Sequence, residues 1–585
     1  MSRDYPYTAL IYDPAQKLWQ GYKKPCETIV AHRLPDVLPA LETIEKRVES
    51  RQLHAAGFVS YEAAAAFDPA FETHPAEDFP LLWFGLYEHC EQLALPQAES
   101  LAALNWQSTL EPEGFSAAVN TIKDAIARGE TYQVNFTFPL SAPFELDAWS
   151  FFLGLVQNQQ ASHAAWFDTG RFAICSASPE LFFELDGQRL TSRPMKGTAP
   201  RGMTLADDLA NAEALQQSEK DRAENVMILD MIRNDLGRLP GGPVRTVDSF
   251  RIEKYPTLWQ MTSTAETMTD ASPAEVFRAL FPCASITGAP KVQTMKLIRQ
   301  LEPKPRKIYT GAIGNISPGR KARFSVAIRT ALVDREQQMA EYGVGAGITW
   351  GSDPQSEYRE CLLKGGILSS PRPDFKLLET LLWTPQEGFP LLKEHLERVT
   401  ASATYFDYTL SQTALKKQLA ALNARLSASP HKVRLLVSRS GKIELEASVI
   451  ELSDHAEPLK VSLANDPIDS TNPFLYHKTT QRSVYEQALL SQPDSDEVLL
   501  WNERGELTEA CNYNLVIEED GQLLTPPVNS GLLGGTLRAN LLAEGRIREE
   551  TLLREKLNNC DALWLINSVR GWRKATLEKR NRHES

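Results

Sequence analysis

The sequence is poor in several features that define whole classes of protein. Its seven cysteines are scattered and include no CxxC pair, which argues against a disulfide framework and against a zinc–thiolate site. No apolar run approaches the length of a membrane span. The first residues, MSRDYPYTAL, carry a charge and a proline where a signal peptide needs an apolar run. We therefore expect a cytoplasmic protein that does not bind membranes.

Positive charge is also scarce, because the 62 Lys and Arg residues are outnumbered by 75 Asp and Glu residues and the net charge is −13. This balance disfavours nucleic acid as a partner. The 585 residues exceed a single domain, and a hydrophobic fraction of 42% is enough for several cores.

The composition changes at LSSPRPD, where two prolines predict a short linker. We expect an N-terminal subdomain over 1–110, a catalytic domain over 111–368, a linker over 369–374 and a C-terminal domain over 375–585. The linker indicates that the C-terminal domain folds independently.

The segment Pro194-Met195-Lys196-Gly197-Thr198 follows a hairpin predicted at Asp186-Gly187. A lysine between proline and glycine at a strand end is expected on a rigid turn. If the turn buries it, the amine loses its proton more easily and becomes a nucleophile. An exposed loop lysine is the alternative interpretation of these five residues alone.

Carboxylates recur at helical spacing in the same domain. One pair lies on a long helix predicted from about residue 207 to 236, and another lies with a lysine on a later helix. A single such pair is usually a solvated helix face. Two pairs in one domain, with a glutamate after a Ser-Pro turn, predict a site for a hard divalent cation such as Mg²⁺. The residues are Asp221 and Glu224, Glu357, Glu360 and Lys364, and Glu180.

Three further features suit an anionic substrate. ASITGAPK is predicted as a loop before a helix, which would offer backbone NH groups of Thr287 and Gly288 to an anion. A strand predicted over 323–333 places Arg329 on its small-residue face, where it suits a buried carboxylate. Alternate glycines then allow close ligand approach at a strand end, namely Gly343, Gly345 and Gly347.

These stretches resemble the chorismate-utilising enzymes, the family of anthranilate, isochorismate, salicylate and aminodeoxychorismate synthases. The resemblance covers about residues 110–370, and the motifs that carry it are SASPELFFE, RPMKGT, KDRAENVMILDMIRNDLGR, ASITGAPK, SVAIRT, GVGAGIT and SDPQSEYRECLLKG. It implies an anthranilate-synthase-like α/β sandwich of antiparallel sheets wrapped by helices.

The resemblance also implies roles for the candidate residues. It assigns Mg²⁺ binding to Glu224 and Glu360, with Asp221 and Glu357 around them. It assigns binding of the chorismate carboxylates to Arg329, Lys364 and the amides from Gly345 to Gly347, with Thr287 and Gly288 lining the pocket.

Lys196 distinguishes members within this family. Anthranilate synthases carry alanine at this position, whereas component I of aminodeoxychorismate synthase carries lysine. The implied mechanism makes Lys196 a nucleophile on the chorismate ring and Glu180 the acid/base, after which ammonia displaces the lysine. Ammonia is expected from a separate glutamine amidotransferase subunit. Gln260 departs from the family, which often has histidines in that segment, so an acid/base role there is missing or lies elsewhere.

A second group of motifs lies beyond the linker. Lys478 lies in YHKTTQR, Glu509 ends a predicted hairpin strand, and Gly535-Thr536-Leu537 opens a predicted helix. A lysine can form a Schiff base with pyridoxal phosphate, a carboxylate can keep the pyridine ring protonated, and a glycine-rich helix start can hold the phosphate.

The order of these motifs resembles fold-type IV pyridoxal-phosphate enzymes over residues 375–575. HLERVTASATYF is similar to the family's arginine helix and assigns Arg398 to the phosphate, and Ser568 is similar to a further active-site turn. The whole chain is thus expected to be a multidomain α/β and α+β protein. Relatives work as dimers, which implies a homodimer through this half.

The fold-type IV family contains branched-chain and D-amino-acid transaminases as well as aminodeoxychorismate lyase. The fusion favours the lyase, because a lyase would consume the product of the first domain and release pyruvate and 4-aminobenzoate. Two alternatives stay open: an anthranilate-type synthase fused to a transaminase, or a first domain that is a non-catalytic ligand sensor.

Overall fold

The computed structural model describes residues 7–96, 104–159, 161–368, 373–426, 428–452 and 457–578. The chain divides into two compact units: unit 1 holds residues 1–200 and 212–372, and unit 2 holds residues 201–211 and 373–585. Most of the predicted linker, residues 369–372, lies outside the described ranges. Within those ranges, no helix is both long and apolar enough to cross a membrane.

Strands dominate unit 1. They are β1 Ala9–Asp13, β2 Leu18–Tyr22, β3 Glu27–Ala31, β4 His54–Val59, β5 Leu82–Tyr87, β6 Glu91–Leu93, β7 Gln107–Ser108, β8 Gln133–Pro143, β9 His163–Asp168, β10 Phe172–Ser178, β11 Leu181–Asp186, β12 Arg189–Arg193, β13 Met195–Pro200, β14 Arg245–Lys254, β15 Leu258–Met268, β16 Gly288–Ala289, β17 Ala312–Ser317, β18 Lys321–Val326, β19 Thr330–Asp334 and β20 Met339–Ile348. The helices up to this point and just beyond it are α1 Leu34–Arg51, α2 Ala64–Phe67, α3 Pro112–Ala127, α4 Ala148–Gln159, α5 Leu205–Gln217, α6 Glu219–Leu236, α7 Pro273–Leu280, α8 Lys291–Leu301 and α9 Pro354–Gly365.

These strands form two antiparallel sheets. The first has the order β16-β8-β20-β19-β10-β9-β1-β2-β6, with β7 beside β8. The second has the order β13-β15-β12-β11-β18-β17-β4-β5-β3, with β14 beside β15. The predicted hairpin between β11 and β12 is present, with Asp186 opposite Arg189 and Gly187 at a φ of +62°. A left-handed turn residue of this kind favours glycine.

The two sheets pack face to face, and helices cover their outer faces. Phe58 of β4 and Phe167 of β9 meet between the sheets with ring centroids 6.3 Å apart. On one outer face, Phe277 of α7 packs 4.9 Å from Phe324 of β18. On the other, Phe152 of α4 lies 5.6 Å from the ring of Trp166. Burial on both faces explains why β5, LWFGLY, is apolar throughout.

Three local predictions for unit 1 need correction. The long helix expected over 207–236 is two helices, α5 and α6, which are separated by Ser218. Ser218 caps the start of α6, because its hydroxyl accepts a hydrogen bond from the Asp221 amide. The strand expected over 323–333 breaks between β18 and β19, where Arg329 adopts a left-handed φ of +52°. Lys196 lies within the short strand β13 rather than on a turn.

Unit 2 contains a small sheet and a large one. Its strands are β21 Leu377–Trp383, β22 His431–Val437, β23 Ile443–Val449, β24 Leu459–Leu463, β25 Glu497–Trp501, β26 Leu507–Ala510, β27 Tyr513–Glu519, β28 Gln522–Thr525, β29 Arg548–Glu549, β30 Ala562–Asn567 and β31 Gly571–Leu577. Its further helices are α10 Leu392–Phe406, α11 Gln412–Asn423, α12 Ser483–Ser491 and α13 Thr536–Ala543. The first seven residues of α5 also belong to this unit.

The large sheet of unit 2 closes on itself. Its order is β26-β25-β24-β31-β30-β27-β28-β29, and an additional pairing joins β26 to β27. Leu499, Leu515 and Leu565 pack together in the core of this ring. The small sheet, β21-β22-β23, is covered by α10 and α11 through a second apolar cluster. The closure brings the β26–β27 hairpin and the start of α13 towards the same cavity.

Two candidate active sites

Unit 1 contains a cavity of about 310 Å³ formed by β13, β20, α6 and α9 and the loops beside them. Most of the site residues predicted from the sequence line this one cavity. They are Glu180, Lys196, Asp221, Glu224, Arg329, Gly345, Gly347, Glu357, Glu360 and Lys364. Residues separated by more than 180 positions in the chain are therefore neighbours in space.

The amine of Lys196 projects into this cavity. Its Nζ lies 4.0 Å from Oε2 of Glu224, and 16% of the side chain is exposed. Burial lowers the pKa of Lys196, and the positive charge of Lys364 lowers it further, while Glu224 and Glu360 oppose the shift. A lower pKa raises the neutral fraction of the amine near neutral pH, which is the nucleophilic form.

Two side-chain amides hold the backbone around Lys196. Asn225 on α6 donates a hydrogen bond of 3.0 Å to the Lys196 carbonyl and accepts one from Ser263. Gln260 on β15 donates one of 2.7 Å to the carbonyl of Gly197. Gln260 thus helps to fix the strand that carries the lysine.

Glu180 lies on the same cavity and is buried. Burial raises its pKa to about 7, and the shift is limited by a hydrogen bond from Ser285, by the Met195 amide and by the charge of Lys196. The Ser285 hydroxyl donates to Oε1 at 2.6 Å. A carboxyl group with this pKa can hold a proton near neutral pH and deliver it to a leaving group.

Thr287 and Gly288, which were also expected at this site, are not among the residues that line the cavity. Thr287 is fully buried, and its hydroxyl donates to the Cys283 carbonyl rather than facing the cavity. Gly288 pairs with Val134 in the short strand β16, not with a helix N-terminus. The Thr287 amide donates to the Ala284 carbonyl at 3.3 Å, so it is not offered to an anion.

Gln133 is a cavity-side residue that the sequence analysis missed. It is fully buried, and neither polar atom of its amide has a hydrogen-bond partner among the described residues. A Cβ atom placed on Gly347 would lie 2.8 Å from Nε2 of Gln133 and 2.3 Å from Nζ of Lys196. The lysine amine and the glutamine amide therefore both lie close to the position that a side chain on Gly347 would occupy, so only glycine fits there.

Unit 2 has a cavity of about 370 Å³. The predicted residues that line it are Arg398, Lys478, Glu509, Gly535, Thr536 and Ser568. Leu537 is not part of the lining, because its side chain packs in an apolar cluster with Val516 and Leu541.

Lys478 is buried in this second cavity. Burial, together with the positive charges of Arg398 and Arg482, lowers its pKa to about 8, although Glu379 and Glu509 oppose the shift. Glu509 is 5% exposed and accepts hydrogen bonds from Tyr485, Asn514 and the Leu533 amide. Burial raises the pKa of Glu509 to about 7 despite these bonds.

Arg398 is held by a buried carboxylate that the sequence analysis did not find. Glu379 on β21 accepts two hydrogen bonds from Arg398, of 2.8 and 2.6 Å, and one of 2.7 Å involving His395. Burial would raise the pKa of Glu379, but Arg398 and His395 outweigh it and lower the pKa to about 2. His395 and Arg398 stand three residues apart on α10, a spacing that indicates a shared helix face.

Both units match protein-family models. Residues 89–369 match the chorismate binding enzymes, and residues 376–577 match the class IV aminotransferases. The chain joins a chorismate-binding enzyme domain to a class IV aminotransferase domain. The fold expected from the sequence, an anthranilate-synthase-like sandwich followed by a fold-type IV domain, is confirmed.

Several relatives resemble the chorismate-binding enzyme domain. A protein named aminodeoxychorismate synthase from Streptomyces griseus is 40% identical over 46% of this chain and 36% of its own length. Aminodeoxychorismate synthase component 1 from Escherichia coli K12 is 35% identical over 45% of this chain and 59% of its own length. The chain thus spans between about a third and three-fifths of these relatives.

The solved structure of anthranilate synthase component I from Streptococcus pneumoniae is similar in fold. Its TM-score is 0.53 at 22% identity, over 63% of this chain and 94% of that chain.

The class IV aminotransferase domain implies pyridoxal phosphate, and its residues fit that cofactor. Lys478 and Glu509 line the cavity together, as the cofactor's aldehyde and ring nitrogen require. Gly535 opens α13, where a Cβ atom would lie 1.8 Å from Oδ1 of Asn514. The helix start with Gly535 and Thr536, and Arg398 beside it, would hold the phosphate.

The chorismate-binding enzyme domain offers oxygen donors that suit Mg²⁺. Among the described residues, no three His, Cys, Asp or Glu side chains converge as a ready-made metal cage. Glu360 pairs with Lys364 at 2.8 Å, and Glu357 accepts a hydrogen bond from Ser352 at 2.8 Å. Mg²⁺ commonly uses one or two carboxylates with water and substrate oxygens, so Glu224 and Glu360 fit such a site.

Proposed function

We propose that this protein makes 4-aminobenzoate from chorismate in two steps. The chorismate-binding enzyme domain would combine chorismate with ammonia to give 4-amino-4-deoxychorismate. The class IV aminotransferase domain would then eliminate pyruvate from that product. The observation that carries the proposal is Lys196, a buried lysine with a lowered pKa among the carboxylates of the first cavity.

In the first step, the neutral amine of Lys196 attacks the chorismate ring and the ring hydroxyl leaves as water. Glu180 supplies the proton for this departure, since its raised pKa of about 7 leaves a substantial fraction of it protonated near neutral pH. Arg329, Lys364 and the amides of Gly345 and Gly347 bind the carboxylates of chorismate. Glu224 and Glu360, with Asp221 and Glu357 around them, would hold Mg²⁺, which would supply positive charge next to the substrate oxygens. Ammonia then forms the new C–N bond and Lys196 leaves.

In the second step, Lys478 removes the proton from the ring carbon that bears the amino group. The ring gains aromaticity as the enolpyruvyl group leaves as pyruvate. Pyridoxal phosphate supplies an electron sink when bound. Glu509 would stabilise the protonated ring nitrogen of the cofactor, and Arg398, Gly535 and Thr536 would bind its phosphate. Ser568 lies at the cavity wall.

Relatives named component 1 imply a second component for the synthase reaction. We propose a glutamine amidotransferase subunit as the ammonia donor and a homodimer through unit 2. We place the reaction in the cytoplasm.

Product analysis tests the function. The protein is incubated with chorismate, ammonium chloride at pH 8, Mg²⁺ and pyridoxal phosphate, and the products are separated by liquid chromatography with mass detection. We expect 4-aminobenzoate and pyruvate in equal amounts when no keto acid is added as an amino-group acceptor. Anthranilate as the product, or an amino group transferred from valine or a D-amino acid to 2-oxoglutarate, would replace the proposal with a synthase–transaminase fusion.

A further inference from the structure

Residues 201–211, the "201–211 segment", are stiffened by a buried ion pair. Arg201 donates hydrogen bonds of 2.6 and 2.7 Å to the two carboxylate oxygens of Asp208. The amide of Gly202 donates to the same carboxylate at 3.0 Å. Both charged side chains are almost completely buried, and a paired, hydrogen-bonded charge of this kind defines one conformation of the segment.

The segment is attached to α10 through Tyr405. Arg201 donates to the Tyr405 carbonyl at 3.0 Å, and its guanidinium lies 4.5 Å from the centre of the tyrosine ring. The Tyr405 hydroxyl donates back to the Gly202 carbonyl at 2.8 Å. The segment is therefore an integral part of unit 2 rather than a surface loop.

The segment also contacts the residue that precedes the reactive lysine. Nε2 of His477 lies 3.1 Å from the Met203 carbonyl, which accepts, so this nitrogen carries the proton. Nδ1 then accepts from the Ser402 hydroxyl at 2.9 Å. The imidazole lies 4.3 Å from the Tyr405 ring, and burial lowers its pKa to about 4. His477 is thus neutral and has one tautomer and one orientation at neutral pH.

Lys478 follows His477 directly. Its carbonyl accepts a hydrogen bond of 3.0 Å from the Leu378 amide, and its amine lies in the cavity. The charged groups that act on the amine come from four elements: Glu379 on β21, Arg398 on α10, Glu509 on β26, and Arg482 just before α12. His477 therefore anchors the backbone next to the residue whose amine these groups surround.

We propose that the 201–211 segment positions Lys478 through His477. The segment follows β13 without a break, so the stretch of chain that presents Lys196 continues into the support of the second reactive lysine. The inference rests on the proposal that Lys478 carries the cofactor, and it does not depend on which substrate that domain uses.

Chemical labelling of Lys478 in the full-length, cofactor-free protein tests the inference. The rate of acetylation by acetic anhydride is measured by mass spectrometry as a function of pH, and its midpoint reports the pKa of the amine. His477→Phe keeps the ring contact with Tyr405 but loses both hydrogen bonds. We expect its midpoint to rise by about one pH unit towards the ordinary lysine value, because the displaced amine is better hydrated. His477→Gln keeps an N–H donor for the Met203 carbonyl and should restore most of the original midpoint.

A second pair of variants acts on the segment itself. Arg201→Ala removes the ion pair and the Tyr405 contact without changing His477, and it should move the midpoint in the same direction. Leu209→Ala is the matched control, because this side chain lies in the same segment and is 52% exposed. With pyridoxal phosphate bound, the pH midpoint of the visible absorbance should follow the same order.

Wild-type midpoints in both His477→Phe and Arg201→Ala would overturn the inference, and so would an equal shift in Leu209→Ala. Acetylation midpoints are independent of turnover, so a failure of the lyase proposal would leave them unchanged. If His477→Phe does not fold, as judged by the loss of its melting transition, the comparison of Arg201→Ala with His477→Gln decides the question.

Discussion

Nζ of Lys196 lies 4.0 Å from Oε2 of Glu224, a distance at which the carboxylate stabilises a charged amine without a short hydrogen bond. We predict that Lys196→Ala abolishes aminodeoxychorismate formation, by at least about a hundredfold, or diverts the synthase to anthranilate. Chromatography of the products from chorismate and ammonia measures both outcomes. Lys24→Ala, at an exposed lysine, is the control. Unchanged aminodeoxychorismate turnover in Lys196→Ala would exclude the covalent role.

Substitution of Gly347 tests the close approach of Lys196 without replacing any of the reactive side chains. In Gly347→Ala the new methyl group would lie 2.3 Å from Nζ of Lys196, so the amine has to move. We expect a loss of synthase turnover with a stability cost of about 1–3 kcal/mol, measured by product assay and thermal melting. Gly351→Ala is the matched control, since its Cβ would meet nothing within 4 Å. Equal activity in the two variants would contradict the close approach.

The acidic cluster predicts a metal dependence. Glu360→Gln should lose Mg²⁺-dependent synthase turnover while the protein remains folded, because an amide oxygen is a weaker ligand for a hard cation. Activity is titrated against Mg²⁺ after treatment with EDTA, with the exposed Glu113→Gln as control. Full synthase activity of the wild-type protein in EDTA would remove the metal from the mechanism.

Ser285 predicts a shift in pH dependence. Glu180 must be protonated to act as the acid, so synthase activity should fall as pH rises through the Glu180 pKa of about 7. The Ser285 hydroxyl stabilises the carboxylate. Ser285→Ala should therefore raise the pKa and move the alkaline limb of kcat/KM up by about one to two pH units. Ser192→Ala, which removes a buried hydroxyl elsewhere in the domain, should leave the limb in place; a downward shift in Ser285→Ala would be incompatible with this role of Glu180.

The same pKa has a consequence for stability. Because the folded-state pKa of Glu180 lies above the unfolded value of about 4.5, the folded protein binds the extra proton between about pH 4.5 and 7. The contribution of this group to the free energy of unfolding is present at the acidic end of that window and is lost as pH rises through it. Urea titrations at several pH values should show this slope reduced in Glu180→Gln.

We predict that substitutions of Lys478 and Glu509 in the second cavity cause different defects, one in cofactor attachment and one in turnover. Lys478→Ala should lose the visible absorbance of the bound cofactor and its covalent capture by borohydride. Glu509→Ala should retain both but lose most lyase turnover, because the electron sink needs a protonated ring nitrogen. Absorbance spectra, borohydride trapping followed by peptide mapping, and pyruvate release are measured on the same preparations. Trapping at another lysine in the wild-type protein would contradict the assignment of Lys478.

The two-domain fold and most of both cavities could be predicted from the sequence because the motifs are local. Lys196 lies in a short stretch whose proline and glycine restrict the backbone, and Lys478 lies in the contiguous motif YHKTTQR. Thr287 was expected to line the first cavity, but its buried hydroxyl donates to the Cys283 carbonyl, a contact that its residue type does not indicate. The strand break at Arg329 was also not predicted, since no local residue type indicates it.

The supporting residues were harder to predict than the reactive ones. Gln133, Asn225 and Glu379 have ordinary residue types at ordinary positions, and their importance follows only from what they contact. Gln260 was noticed as a departure from the family, but its contact with Gly197 could not be derived from the sequence. The independent folding of residues 375–585 stays a prediction.

The assignment of residues 201–211 to unit 2 has a topological consequence. The polypeptide passes from one unit to the other three times, after residues 200, 211 and 372. No single cleavage of the chain can therefore yield two fragments that each carry one whole unit. A gene split at the linker would leave Arg201, Gly202 and Met203 on the fragment that lacks Tyr405 and His477. To obtain a complete unit 2, the 201–211 segment would have to be supplied to the second fragment, as a separate peptide or as a new N-terminal extension.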